Sequence, residues 1–130
     1  MSAPTAEHTP QVPALQLFSL KGRNAFVTGG SRGIGAAIAI ALADAGASVC
    51  IAQRDTSKTE TADAIRARGI KAETIACDLA DMNDVKGVFQ RALEVMDGRI
   101  DILVNCGGLL KRKDILSVSE EEWDAVSVPQ

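Results

Sequence analysis

Tyrosine is absent from the 130 residues, and histidine occurs once, as His8. The missing phenol removes one of the usual proton-transferring groups. A lone histidine near the N-terminus supplies neither a His-based triad nor a zinc ligand set. The three cysteines, Cys50, Cys77 and Cys106, contain no CxxC pair, and an odd number makes a poor disulfide framework. They read as reduced thiols, two of them at or near the ends of apolar stretches where a thiol acts as a small hydrophobe. No apolar run approaches the roughly 20 residues of a membrane span. The formal net charge of −3 lacks the basic excess that nucleic acid or an anionic membrane attracts, so neither is expected as a partner. Residues 1–16 have Glu7 as their only charged side chain and carry Pro4, Pro10 and Pro13. That stretch has no basic n-region, apolar h-region or Arg-rich amphipathic helix, so it is neither a secretory signal nor a transit peptide. The expectation is a disordered tail over residues 1–17 on a cytoplasmic protein.

What is present is an ordinary globular composition, 46% hydrophobic and 24% charged, of a length suited to one domain over residues 18–130. Asn24 to Thr28 is a short apolar run entering a glycine cluster, the pattern of a buried strand and a tight turn. From Gly33 the period becomes helical, and Ile34, Ile38, Ala41, Leu42 and Ala45 predict one apolar face ending at Gly46. Ser48 to Ala52 is a second strand. Ser57 and Glu60 fit a capping box that opens a helix ending near Gly69. A third strand is expected over Ile70 to Cys77. Val85, Val88, Phe89, Ala92, Leu93 and Met96 trace an amphipathic helix closed by Gly98. Ile100 to Val104 gives a fourth strand, and Ser119 with Glu122 makes another capping box before Trp123, expected as a core anchor. Alternating strands and helices predict an α/β fold with a parallel sheet, helices on both faces and continuously apolar strands.

The run Thr28-Gly29-Gly30-Ser31-Arg32-Gly33-Ile34-Gly35 lies directly after a strand and opens a helix, the context that makes a glycine triplet a phosphate cradle. Gly29 permits the sharp turn, Gly33 lets the backbone approach a pyrophosphate drawn to the helix N-terminus, and Gly35 allows close helix–sheet contact.

The TGxxxGxG spacing resembles the short-chain dehydrogenase/reductase family, and the resemblance covers about Phe18 to Val126. Cys77-Asp78-Leu79 is similar to that family's Asp-Leu/Val pair, which implies that the Asp78 carboxylate meets the adenine amino group. Ile100-Asp101-Ile102-Leu103-Val104-Asn105-Cys106-Gly107-Gly108 resembles its (I)D-x-LVNNAG motif, with Cys106 and Gly107 in place of Asn and Ala. The resemblance implies a partial Rossmann, doubly wound domain with four strands in the order 3-2-1-4. It also implies a dinucleotide site made of Gly29, Ser31, Arg32, Gly33, Ile34, Gly35, Gln53, Arg54, Asp78, Leu79, Asn105 and Gly107. Gln53 stands where an NAD site wants a carboxylate, and Arg54 and Arg32 suit a 2′-phosphate, so NADP is expected, with NAD the alternative because Asp55 is close by.

Phe18-Ser19-Leu20-Lys21-Gly22, Leu110 to Asp114, and Ser119 to Asp124 look like 2-deoxy-D-gluconate 3-dehydrogenases and related sugar-acid dehydrogenases. That implies a small sugar-acid substrate in a full-length form, with Lys111, Arg112 and Lys113 either attracting its carboxylate or simply solvated. Catalysis in the family needs a serine, a tyrosine and a lysine four residues beyond it, with an asparagine that would fall near Gln130. The chain is therefore expected to be truncated, with no catalytic residue assigned and with the oligomer of relatives not retained. The competing expectations are a non-catalytic dinucleotide-binding module or interaction fragment of a full-length relative, and a nonfunctional remnant.

Overall fold

A computed structural model describes residues 12–110 and 112–127. Strands β1 (Asn24–Thr28), β2 (Ser48–Gln53), β3 (Ala72–Ala76) and β4 (Ile102–Asn105) form one parallel sheet in the order β3-β2-β1-β4. This is the α/β sheet expected from the alternation of elements. Helices α1 (Gly33–Asp44), α2 (Glu60–Arg66), α3 (Met82–Val95) and α4 (Glu120–Ser127) follow the strands in turn. Of the expected tail, residues 1–11 lie outside the described residues, and Ala14–Phe18 makes an exposed 3-10 turn.

The pleat divides the core in two. Ala25 and Val27 of β1, Val49 and Ile51 of β2, and Ala72 of β3 face α1 and α2, where Ala39, Ala43, Ala62 and Ile65 close over them. Phe26, Cys50 and Ala52 point to the other face and pack with Val88 and Ala92 of α3 and with Met96 at its C-terminal end. Helices on opposite faces leave β1 and β2 buried on both sides, which is why their sequences run apolar without alternation.

The face of α1 differs from the expectation. Its buried residues are Gly35, Ala39 and Ala43, while Ile34 is 74% exposed and Ala41 lies outward. The helix is apolar nearly all round, so periodicity had little contrast to read. Close approach then selected the smallest side chains, because a Cβ on Gly35 would lie 2.2 Å from the Gly29 carbonyl oxygen. Gly35 thus packs against the glycine loop itself, and it is Gly30 that approaches the sheet, its would-be Cβ 2.8 Å from Ile51.

The box expected at Ser57 also fails. The Ser57 hydroxyl donates to the Asp55 carboxylate at 2.6 Å, and α2 begins after Thr59 without a side-chain cap. A carboxylate two residues away captured the hydroxyl before the helix could use it. At α4 the box forms, with the Glu122 N–H donating to Ser119 Oγ and the Ser119 N–H to Glu122 Oε2, each at 3.2 Å. Trp123 on that helix is 62% exposed and anchors no core among the described residues.

Candidate cofactor site

All four strands point their C-terminal ends the same way, and the segments that follow them border one cleft of about 460 Å³. It lies where β1 leads to β2 on one side while β4 pairs on the other, the switch point at which doubly wound sheets bind ligands. Eleven of the twelve expected residues line it: Gly29, Ser31, Arg32, Gly33, Ile34, Gly35, Gln53, Arg54, Asp78, Leu79 and Gly107. Asn105 does not. It ends β4 in register with Thr28, one pleat below the rim.

The glycine loop is built for close approach on one side only. Gly29 adopts φ +67 and a Cβ there would sit 2.6 Å from Gly107 Cα, so the turn and the loop after β4 meet backbone to backbone. Gly33 adopts φ +57, yet a Cβ on it meets nothing within 4 Å. The open space above Gly33 is where an anion would come to rest. The N–H groups of Gly33, Ile34 and Gly35 have no acceptor among the described residues, as at any free helix N-terminus. A cleft of this volume, floored by free backbone donors, fits a dinucleotide.

Residues the sequence left without a role hold the cleft in shape. The Thr28 hydroxyl accepts from the N–H groups of Cys106 and Gly107, both at 3.1 Å, fastening the end of β1 to the loop after β4. Thr61 on α2 donates to the Ser31 carbonyl at 3.3 Å and braces the glycine loop from outside. Thr28 was visible as the first residue of the glycine motif, whereas nothing local marked Thr61. Gly107 leaves room for Leu79, whose Cδ1 lies 2.2 Å from where a Cβ at 107 would be. An alanine there would push the leucine aside.

Two carboxylates near the cleft are spoken for. Asp84 accepts from the Asp78 N–H at 2.8 Å and from Arg91, and these bonds hold its carboxyl below the usual range. Asp55 is likewise lowered by the Ser57 hydroxyl and N–H, with Lys58 a smaller cause. Burial, with Asp84 nearby, raises the Cys77 thiol at the cleft, and burial pushes Cys50 up to about 12. All three cysteines are free thiols.

Neither described basic residue of the loop after β4 lines the cleft. Lys111 lies outside the described residues, and Arg112 is exposed. Lys113 pairs with Glu122 at 2.7 Å, beside a separate hollow of about 230 Å³ that includes Trp123 and Val126. The position expected for the family asparagine, near Gln130, lies outside the described residues. No helix among the described residues is long and apolar enough to cross a membrane.

Comparison with known proteins agrees with this geometry. The short-chain reductase protein NovJ of Streptomyces niveus is 43% identical over 103 residues, covering 78% of this chain and 39% of that protein. The 2-dehydro-3-deoxy-D-gluconate 5-dehydrogenase of Escherichia coli K12 is 38% identical over 112 residues, covering 86% and 44%. A short chain dehydrogenase of Burkholderia cenocepacia, crystallised in complex with NADP, superposes with a TM-score of 0.74 at 38% identity, covering 82% and 44%. The chain thus spans less than half the length of these relatives. Residues 23–128 match the family described as short chain dehydrogenase, and with the parallel sheet and glycine loop in place the chain belongs to that family.

Proposed function

We propose that the cleft binds NADP and that the chain is the nucleotide-holding part of an oxidoreductase acting on an alcohol or ketone, with a sugar acid as substrate class. The observation that carries the cofactor is electrostatic. Arg32 and Arg54 line the cleft, neither takes part in an ion pair among the described residues, and β2 ends in neutral Gln53. Two uncommitted guanidinium groups favour a phosphate monoester over a bare ribose hydroxyl. The Burkholderia neighbour's NADP and the Escherichia coli relative's sugar-acid name support the same reading.

In this reading the α1 N-terminus and Gly33 receive the pyrophosphate, Asp78 and Leu79 border the adenine, and the arginines take the 2′-phosphate. When bound, NADP supplies hydride transfer at its nicotinamide. The 130 residues contain no tyrosine to move a proton at the substrate oxygen, so the chain alone holds the cofactor without turnover. Three free thiols fit a reducing cytoplasm.

Titration calorimetry with NADP and NAD tests the proposal. NADP should bind more tightly, and Arg54→Ala should weaken NADP about tenfold while leaving NAD unchanged, the loss of one charge-assisted contact. Equal affinities in the unsubstituted chain would overturn the cofactor assignment. Hydride transfer by the chain alone would overturn the claim of binding without turnover.

A further inference from the structure

Gln53 is the last residue of β2, only 6% exposed, and both N–H groups of its amide are engaged. Nε2 donates to the carbonyl of Asp55 at 2.7 Å and to the carbonyl of Lys58 at 2.8 Å. A primary amide has two N–H donors, and both are used on the segment that follows. Residues 54–58 are therefore curled back on the strand end, with the Lys58 N–H reaching the Asp55 carbonyl at 3.4 Å. Inside the curl, Asp55 Oδ1 accepts from the Ser57 N–H at 3.0 Å and from its hydroxyl at 2.6 Å. The carboxylate nearest to an NAD-type ribose contact is thus held by its own turn. The basic side chains of that turn, Arg54 and Lys58, both border the cleft and enter no described ion pair.

We infer that Gln53 is a positioning residue for cofactor choice, shaping the turn after β2 so that Lys58 joins the arginines as a further cation for the 2′-phosphate. The inference rests on the NADP reading above. A carboxylate at position 53 would set its oxygens against two carbonyl oxygens and could not close this turn. The residue that puts a neutral amide in place of a carboxylate therefore also builds the corner that would accept a phosphate.

Gln53→Met keeps the length and neutrality of the side chain but donates nothing, and calorimetry with NADP and NAD reads the result. NADP affinity should fall about tenfold, as for a lost pair of buried hydrogen bonds that place charged groups, with NAD affinity unchanged. Lys58→Met, at an exposed position that cannot upset folding, should weaken NADP about threefold, and Lys58→Arg should retain it. An equal loss for both cofactors in Gln53→Met would show that Gln53 only packs the strand end, and would overturn the inference with the NADP reading intact. Should Gln53→Met fail to fold, the lysine variants decide: NADP affinity unaltered in Lys58→Met overturns it. An unsubstituted chain that prefers neither cofactor removes the NADP reading and this inference together.

Discussion

Phe26 in β1 and Leu103 in β4 are register partners, yet Phe26 is 2% exposed and Leu103 55%. Both are large apolar residues in adjacent strands, pointing to the same face of the sheet. Over Phe26 lies α3, whose Phe89 meets it edge to face with ring centroids 6.4 Å apart. Over Leu103 lies nothing comparable among the described residues, and Trp123 of α4 stays outward. Burial thus depends less on what a strand contains than on whether a helix returns across it. The centre of the sheet is finished on both faces, and the β4 side on one.

That contrast can be broken most sharply in the core. Ile51→Ala, at a fully buried position between α1, α2 and the glycine loop, should cost about 2–5 kcal/mol in urea unfolding. Leu103→Ala should change stability by less than about 0.5 kcal/mol, as expected of an exposed site. Similar losses at the two positions would mean that β4 is covered in solution and that the two sides are alike.

A smaller effect is expected inside the finished half, at the cleft itself. On helix propensity alone, valine at position 33 looks tolerable. The φ of +57 at Gly33 is unsuited to a branched side chain, so Gly33→Val should cost about 1–2 kcal/mol although the space above it is open. Gly33→Asn, which tolerates this conformation, should be milder. Unfolding curves that rank valine at or below asparagine would show that the backbone here is not held left-handed.

The mildest change lies at the seam between the two sides. Asp101, just before β4, accepts from the Asn24 N–H at the start of β1 at 2.8 Å, and Arg99 and Arg23 approach it at 3.2 and 3.6 Å. The Asn24 bond is the largest cause of a lowered carboxyl, with the arginines adding to it. A carboxyl lowered by folding stabilises the folded state above its ordinary value of 3.8, and that contribution is lost as pH falls through the folded value. Asp101→Asn should therefore flatten the loss of stability as pH falls below 3.8. An acid limb as steep as that of the unsubstituted chain would mean that Asp101 does not join β1 to β4.

Much of this was legible in the residues. The alternation of strands and helices and the phosphate-cradling turn followed from apolar runs and the glycines after Thr28. The strand order and most of the cleft's lining came from the family resemblance. What escaped reading involved competition or distance. Every side of α1 is apolar, so its buried face was decided by clearance at Gly35 rather than by periodicity. Ser57 had two acceptable partners and took the nearer. Trp123 has the character of a core residue, and only the surroundings of α4 reveal that it joins no core among the described residues. Gln53 looked like the mere absence of a carboxylate, since a hydrogen bond to a carbonyl five residues on leaves no mark in a sequence.

The bonds from Thr28 to the loop after β4 span 78 and 79 residues of chain. No part of that fastening can exist until β4 has found β1, and so long a closure is entropically among the last that a folding chain makes. A growing polypeptide that has emerged only as far as α3 can brace the glycine loop through Thr61 but cannot fasten it to the loop after β4. The cleft is accordingly a late event in the folding of these strands, and affinity for a dinucleotide would serve as a gauge of whether β4 has docked.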